Sequence, residues 1–253
     1  LCAGRGAGAV VMRSRVKAWL IAQAKVVKGT FFMLWGLFAV GFFAGLGFWF
    51  ALFSLCAWFS PAHAAEVTIP RAAQQYRTEL TRSARAVWGL NAPIAVFAAQ
   101  VHTESWWRND TVSSAGAQGL AQFMPITARW LPSVAPETGK PAPFNPGWSL
   151  RALCTYDKWL WDREDGRTPF DRMAFTLSSY NGGAGWVDRD KRLAAQRGLD
   201  NIRWFEHVAT CNAGRRKSAF GENRAYVRLI LQERQSAYTR AGWGPGIEEG
   251  ARP

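Results

Sequence analysis

The sequence predicts a mainly α protein, a helical domain preceded by an N-terminal transmembrane or signal helix. Three observations carry this. Apolar residues recur at three- and four-residue spacing in segments spread between residues 70 and 240, the periodicity of helices buried along one face. Proline and Thr-Pro signals open several of those segments, and no stretch alternates apolar with polar in the manner of a half-buried strand. Residues 31–59 contain no charge at all, a run longer than the ~20 residues that span a bilayer.

Taken in order, residues 1–30 are a basic leader. Arg13, Arg15, Lys17, Lys25 and Lys28 precede the apolar run with no acid among them, which keeps the N-terminus in the cytoplasm and exports everything after Ala65. Residues 31–64 are a transmembrane anchor or a signal segment. Run length favours the anchor, while Ala62 and Ala64 in SPAHAAE form the small-x-small pattern of a cleavage site after Ala64. Both readings stay open, and they share one topology: anchored in the inner membrane through 31–59 and facing the periplasm, or periplasmic after cleavage near Ala64. Gly41 and Gly45 form a GxxxG, which pairs helices in some spans and is ordinary composition in others.

Residues 65–90 carry Ala73, Tyr76, Leu80, Ala84, Val87 and Trp88 at helical spacing behind Pro70. The main domain is expected over 91–240. Its first helix starts near Asn91–Pro93 and lines up Ile94, Phe97, Ala98 and Val101, with Glu104 at its far end. There the negative end of the helix dipole disfavours a carboxylate and helps hold a proton on it. A turn-rich stretch, NDTVSSAGAQG, follows, and the five prolines of 132–147 read as a long loop or lid. A helix over 149–162 turns Leu150, Leu153, Cys154, Leu160 and Trp161 inward. The next starts at TPFD, Thr168 as cap and Pro169 first, and stops at the glycines of SSYNGGAG. Further helices are expected near 200–210 and 221–240, then a flexible tail over 241–253.

The net charge is +13; the six cations of residues 1–64 leave +7 on the exported part, much of it in RDKRLAAQRG and GRRKSAF. Basic runs of this kind are usually solvated faces. Where they bind, an exported protein meets anionic wall polymer or lipid headgroups, and nucleic acid is the disfavoured partner. Cys154 and Cys211 are the exported cysteines; in an oxidising compartment a bridge between them is slightly favoured over two separate buried thiols. No CxxC and no HExxH occurs among three scattered histidines, so no metal and no cofactor is expected.

Four blocks carry a resemblance: Glu104-Ser105, SSAGAQGLAQFMPITA at 113–128, SYNGG at 179–183 and ENRAYV at 222–227. In order and spacing they are similar to the motifs of the soluble lytic transglycosylase (SLT) family of the lysozyme-like superfamily, over about residues 91–235. The resemblance implies a lysozyme-like helical fold. It also implies an enzyme that cleaves the β-1,4 bond between N-acetylmuramic acid and N-acetylglucosamine of peptidoglycan without water, leaving a 1,6-anhydro end. One carboxyl serves such a reaction, first as acid to the leaving oxygen and then as base to the sugar's C6 hydroxyl. A hydrolase instead needs two, about 5 to 9.5 Å apart.

Glu104 is the catalytic residue so implied, with Ser105, Gln122, Met124, Tyr180, Asn181, Glu222 and Tyr226 binding substrate. Leu120, Phe123 and Met124 can supply apolar walls that keep Glu104 protonated. Asp110, the nearest other acid in sequence, reads as a loop residue. Gln122 and Asn181 also suit loop-tying amides, and Tyr226 a core tyrosine. Trp106 or Trp107 can stack on a sugar or pack inside. Ala121 and Ser179 depart from the family's Met and Ala without removing a catalytic group. Two other functions fit the pattern: a lysozyme-type muramidase and a non-catalytic peptidoglycan-binding scaffold. The partners implied are glycan strands and the inner membrane, and a secretion or conjugation machine whose path through the wall the enzyme would clear.

Overall fold

The computed structural model describes residues 67–250, which fall within one compact unit, Ala65–Pro253. The leader, the apolar run with its GxxxG and the candidate cleavage site lie outside the described residues. Among those described, no helix is long and apolar enough to cross a membrane.

A 3-10 turn at Arg71–Tyr76 leads into α1 (Arg77–Trp88), and α2 (Ile94–Ser105) follows. α2 is buried nearly all round, residues 94 to 102 being inaccessible, so it forms the axis of the core. Its first turn has no side-chain cap. The Ala95 N–H donates instead to Pro245 O at 3.0 Å, which satisfies one of the donors a helix start leaves over. That contact corrects the expected flexible tail: Trp243 is buried and the Ile247 N–H donates to Gln235 Oε1 at 3.0 Å.

α3 (Pro125–Val134) takes in Pro132, so the proline-rich stretch is loop only in part. A proline this late in a ten-residue helix loses a single backbone bond. α4 (Pro146–Trp161) is started by the Asn145 side chain, which accepts from the Trp148 N–H. α5 (Pro169–Gly182) is capped by Thr168, which accepts from the Asp171 N–H, as TPFD predicts.

α6 (Ala184–Gln196) lies where the sequence reads as a basic run. Residues 200–210, expected as a helix, hold turns and a 3-10 segment at Val208–Thr210, tied down by the Trp204 N–H donating to Asp171 Oδ1 at 2.9 Å. The expected 221–240 helix is continuous but mixed: α7 (Lys217–Arg228), a π segment at Leu229–Arg234, and α8 (Gln235–Arg240).

α1 packs on α4; α5 touches α4, α6 and α7; α2 lies against the π segment and α8. Cys154 sits in the α1–α4 seam, where its carbonyl accepts from Trp88 Nε1 at 2.8 Å. Cys211 follows the 3-10 turn, its carbonyl held by Arg224 at 2.9 Å. Both are free, buried thiols. The favoured bridge is therefore not formed, because each cysteine is fixed by its own backbone to a different seam of the core.

Between α2 and α3 the chain folds back on itself through isolated bridges of Gln118 with Val112 and Phe123. Gly119 makes this possible. Its φ is +74°, and a Cβ there would lie 1.9 Å from Pro143 O. Gly119→Ala is expected to lower stability by about 2 kcal/mol or more, from the clash and the left-handed backbone together. A urea unfolding midpoint measured on the 65–253 fragment would read this directly.

Candidate active site

The last turn of α2, the fold-back loop, the end of α5 and the middle of α7 enclose a cleft of ≈ 500 Å³. Glu104, Gln122, Met124, Tyr180, Asn181, Glu222 and Tyr226 all line it. Residues spread over more than 120 positions are thereby brought to one wall and one floor.

Glu104 projects from the C-terminal end of α2. Its Oε1 accepts the Tyr226 hydroxyl at 2.6 Å, and its edge stays open to the cleft. Burial pushes its pKa up, the Tyr226 hydrogen bond pulls it down, and Glu222 across the cleft pushes it up again; the outcome is about 8. Desolvation dominates because a carboxylate here trades water for the apolar surfaces of its neighbours. Glu104 is protonated at neutral pH, the state a general acid needs.

Tyr226 is both things the sequence left open: a buried core tyrosine and the direct partner of the acid. Tyr180 lines the cleft but donates its hydroxyl to Ala121 O at 2.7 Å, fixing the fold-back loop rather than reaching Glu104. Gln122 ties the same loop, its Nε2 donating to Gly119 O at 2.9 Å and Thr111 O at 3.1 Å. It does so from a left-handed backbone, φ 48°, a conformation that costs a non-glycine residue about 1 kcal/mol or more. Asn181 accepts from Asn223 Nδ2 at 3.0 Å, and Asn223 in turn accepts from Ser178 Oγ at 2.8 Å.

Ser105 is the exception among the expected site residues. It is buried, its hydroxyl donates to Val101 O at 3.3 Å, and it does not line the cleft. One step along a helix turns a side chain by about 100°, so the neighbour of the cleft-facing Glu104 points into the core. Leu120 is likewise buried outside the cleft wall, whereas Phe123 and Met124 form part of it. Trp107 packs inside, its Nε1 donating to Tyr238 Oη at 2.7 Å. Trp106 is 54% exposed but lies off the cleft, edge-on to His102. Asp110 does not line the cleft either.

Sequence reading missed Asp157. It is fully buried on α4, accepts from Gln100 Nε2 at 3.3 Å, and its pKa is driven well up, first by burial and then, against the pull of Gln100, by Glu104. A second carboxyl is thus buried in the core close enough to Glu104 for each to disfavour the other's charge. No signal marked it, since Asp157 stands in an otherwise ordinary helical pattern.

Residues 82–203 match the family model of the Transglycosylase SLT domain. The membrane-bound lytic murein transglycosylase F of Maricaulis maris is 34% identical over 110 residues, 43% of this chain and 23% of that protein. The protein of the same name from Marinobacter nauticus is 28% identical over 187 residues, 74% of this chain and 31% of that protein. The chain thus spans less than a third of the length of these relatives. Among solved structures, the 70-kDa soluble lytic transglycosylase of Escherichia coli superposes with a TM-score of 0.50 at 21% identity, covering 70% of this chain and 27% of that one. A complex of the 70-kDa soluble lytic transglycosylase with bulgecin A gives 0.51 at 22%, covering 71% and 26%. These likenesses carry the fold.

The raised pKa has a stability consequence. Below about 4.5 Glu104 is protonated folded or unfolded. Between there and about 8 the unfolded chain ionises while the folded one keeps its proton, so the group's contribution to stability falls as pH rises through that window. Glu104→Gln removes the slope. Its Tm is expected to match native near pH 4.5, to exceed it increasingly up to about pH 8 and to keep that margin above; a gap that does not widen between pH 4.5 and 8 would contradict the burial of the charge.

Proposed function

Starting from a chain whose residues 82–203 belong to the soluble lytic transglycosylase family of lysozyme-like proteins, we propose that it is a peptidoglycan lytic transglycosylase acting on the periplasmic side of the inner membrane. It cleaves the β-1,4 bond between N-acetylmuramic acid and N-acetylglucosamine and leaves 1,6-anhydro-muramoyl ends. The observation that carries this reading is Glu104, a protonated carboxyl on the cleft wall with a tyrosine hydroxyl on one oxygen.

The steps follow from that geometry. Protonated Glu104 gives its proton to the glycosidic oxygen as the bond from C1 breaks. The carboxylate left behind is stabilised by Tyr226 and takes the proton of the C6 hydroxyl as its oxygen closes on C1. No water is consumed, and Glu104 ends as it began. Phe123 and Met124 keep bulk water from one side. Gln122 and Asn181 offer amides to the acetamido groups of the strand, and Tyr180 and Glu222 complete its bed.

Glu222 also supports a second reading. A second carboxyl on the same cleft is what a muramidase would use to direct a water or stabilise the sugar cation. The products separate the two: mass spectrometry of muropeptides released from purified sacculi shows anhydro ends for the lyase and reducing ends for the hydrolase. Sacculi bound but uncut by the native chain would make it a scaffold. Glu104→Gln is expected to lower the rate about a hundred- to ten-thousandfold. In Tyr226→Phe the hydrogen bond that favours the carboxylate is gone, so Glu104 holds its proton more tightly. The alkaline limb of kcat against pH then moves above about 8, with kcat itself reduced.

The domain order proposed is a basic leader at 1–30, an anchor or signal at 31–64, and the exported helices, which carry the cleft to the periplasm. Local opening of the wall for a conjugation or secretion machine suits that placement. Unchanged DNA transfer after deletion, in a cell with no redundant transglycosylase, would count against it.

A further inference from the structure

One buried polar pair lies outside the steps above. Gln100 stands on α2 one turn before Glu104, and Asp157 stands on α4; neither side chain is accessible to solvent. Gln100 Nε2 donates to Asp157 Oδ1 at 3.3 Å. Asp157 Oδ2 has no hydrogen-bond partner among the described residues, and neither has Gln100 Oε1. With Asp157 ionised both of these atoms are acceptors. The carboxylate would then sit in the core on one long hydrogen bond, and the amide oxygen of its partner would stay unanswered.

The surroundings do not supply a counter-charge. Among the described residues Asp157 has no ion-pair partner, and Lys158, the next residue along, pairs with Asp162 at 2.6 Å instead. The titratable groups in electrostatic reach of Asp157 are Glu104 on α2, Cys154 and Tyr156 on α4, Tyr180 on α5 and Tyr226 on α7. All are acids, so each is neutral or negative and none favours a charge on Asp157. A buried carboxylate without a cation is costly enough that such a group neutralises instead. A single proton on Oδ2 resolves both orphaned atoms. The hydroxyl it makes is a donor, Gln100 Oε1 is an acceptor, and acid and amide then face each other through two hydrogen bonds in a ring. Closing that ring takes a shift of about 0.3 Å, from 3.3 Å to the usual N–H···O distance.

We propose that one proton closes Asp157 and Gln100 into a neutral acid–amide pair, and that Asp157 is thereby a positioning residue for Glu104. The inference rests on the catalytic reading of Glu104. Residues four apart lie on the same side of a helix, so the pair ties to α4 the turn of α2 that precedes the acid. It does so without placing a charge behind Glu104, whose own charge changes at each step of the reaction. An ionised Asp157 would oppose the carboxylate that Glu104 becomes after protonating the leaving oxygen.

Two variants test this. Asp157→Asn cannot ionise yet offers Gln100 the same donor and acceptor; Asp157→Ala leaves both polar atoms of Gln100 unpaired. Infrared difference spectra between native full chain and Asp157→Asn are expected to show a protonated-carboxyl band that outlasts the one from Glu104, which is lost at about 8. In muropeptide release from purified sacculi, Asp157→Asn is expected to keep kcat within about twofold of native with its alkaline limb in place, and Asp157→Ala to lower kcat about tenfold with KM little changed, as a slight misplacement of the acid does. An alkaline limb moved down by about one pH unit or more in Asp157→Asn would show a charged Asp157 and overturn the pair. So would a band lost at lower pH than that of Glu104. Native kcat in Asp157→Ala would overturn the positioning role, and the asparagine variant and the band stand even where the alanine variant does not fold. Native chain that cuts no sacculi would sink the catalytic reading, while the band would still decide whether the pair holds its proton.

Discussion

Taking one carboxyl group out of water raises its affinity for a proton, and the architecture around Glu104 is arranged to impose that change and then limit it. Burial alone would hold the proton too firmly for the group to act. The Tyr226 hydroxyl, delivered from α7 across 122 positions, favours the charged form and brings the balance to about 8. At that value the same group can give a proton to a leaving oxygen and take one from a sugar hydroxyl near neutral pH, since general acid–base catalysis works best with a pKa close to the working pH. Everything that positions α2 relative to α7 therefore bears on the chemistry.

What fixes α7 is a set of polar contacts to α5 and α6 inside an otherwise apolar core. Asp190 on α6 accepts from Arg215 and Arg224, and Asn223 joins α7 to Ser178 and Asn181 on α5. Breaking a buried pair of this kind costs about 3 to 5 kcal/mol, so the register of α7 against α5 is closely held. The left-handed backbone at Gln122 is held the same way: its side chain bonds the loop that strains it, and Tyr180 clamps the neighbouring carbonyl of Ala121. The loop that forms the cleft wall is thus stiff rather than adaptable.

The legible parts of this chain were local. Thr168 with Asp171 announces a helix start within four residues, and the run from Ser113 to Ala128 folds back as its glycines suggest. Glu104 at a helix end follows from spacing alone. What the sequence hid was either long-range or masked by composition. The bond between Tyr226 and Glu104 has no local trace. Asp157 looks like any polar residue of an amphipathic helix, and Ser105, expected to bind substrate beside Glu104, is sent inward by helix rotation. α6 is so rich in charge that its apolar face, Val187 and Ala194, was easy to overlook. The prolines of 132–147 overstated the loop because Pro132 falls in a last turn, and Trp243 was read as tail although a tryptophan near a chain end is good reason to expect packing.

The most direct measurement is the titration of Glu104 itself, by infrared difference spectroscopy between the native 65–253 fragment and Glu104→Gln across pH 3 to 10. The account predicts a protonated-carboxyl band, absent from the variant, that persists through pH 7 and disappears with a midpoint near 8. A band lost with a midpoint near 4.5 would show an ordinary solvated carboxylate in the cleft, and with it the acid step assigned to Glu104 would fail.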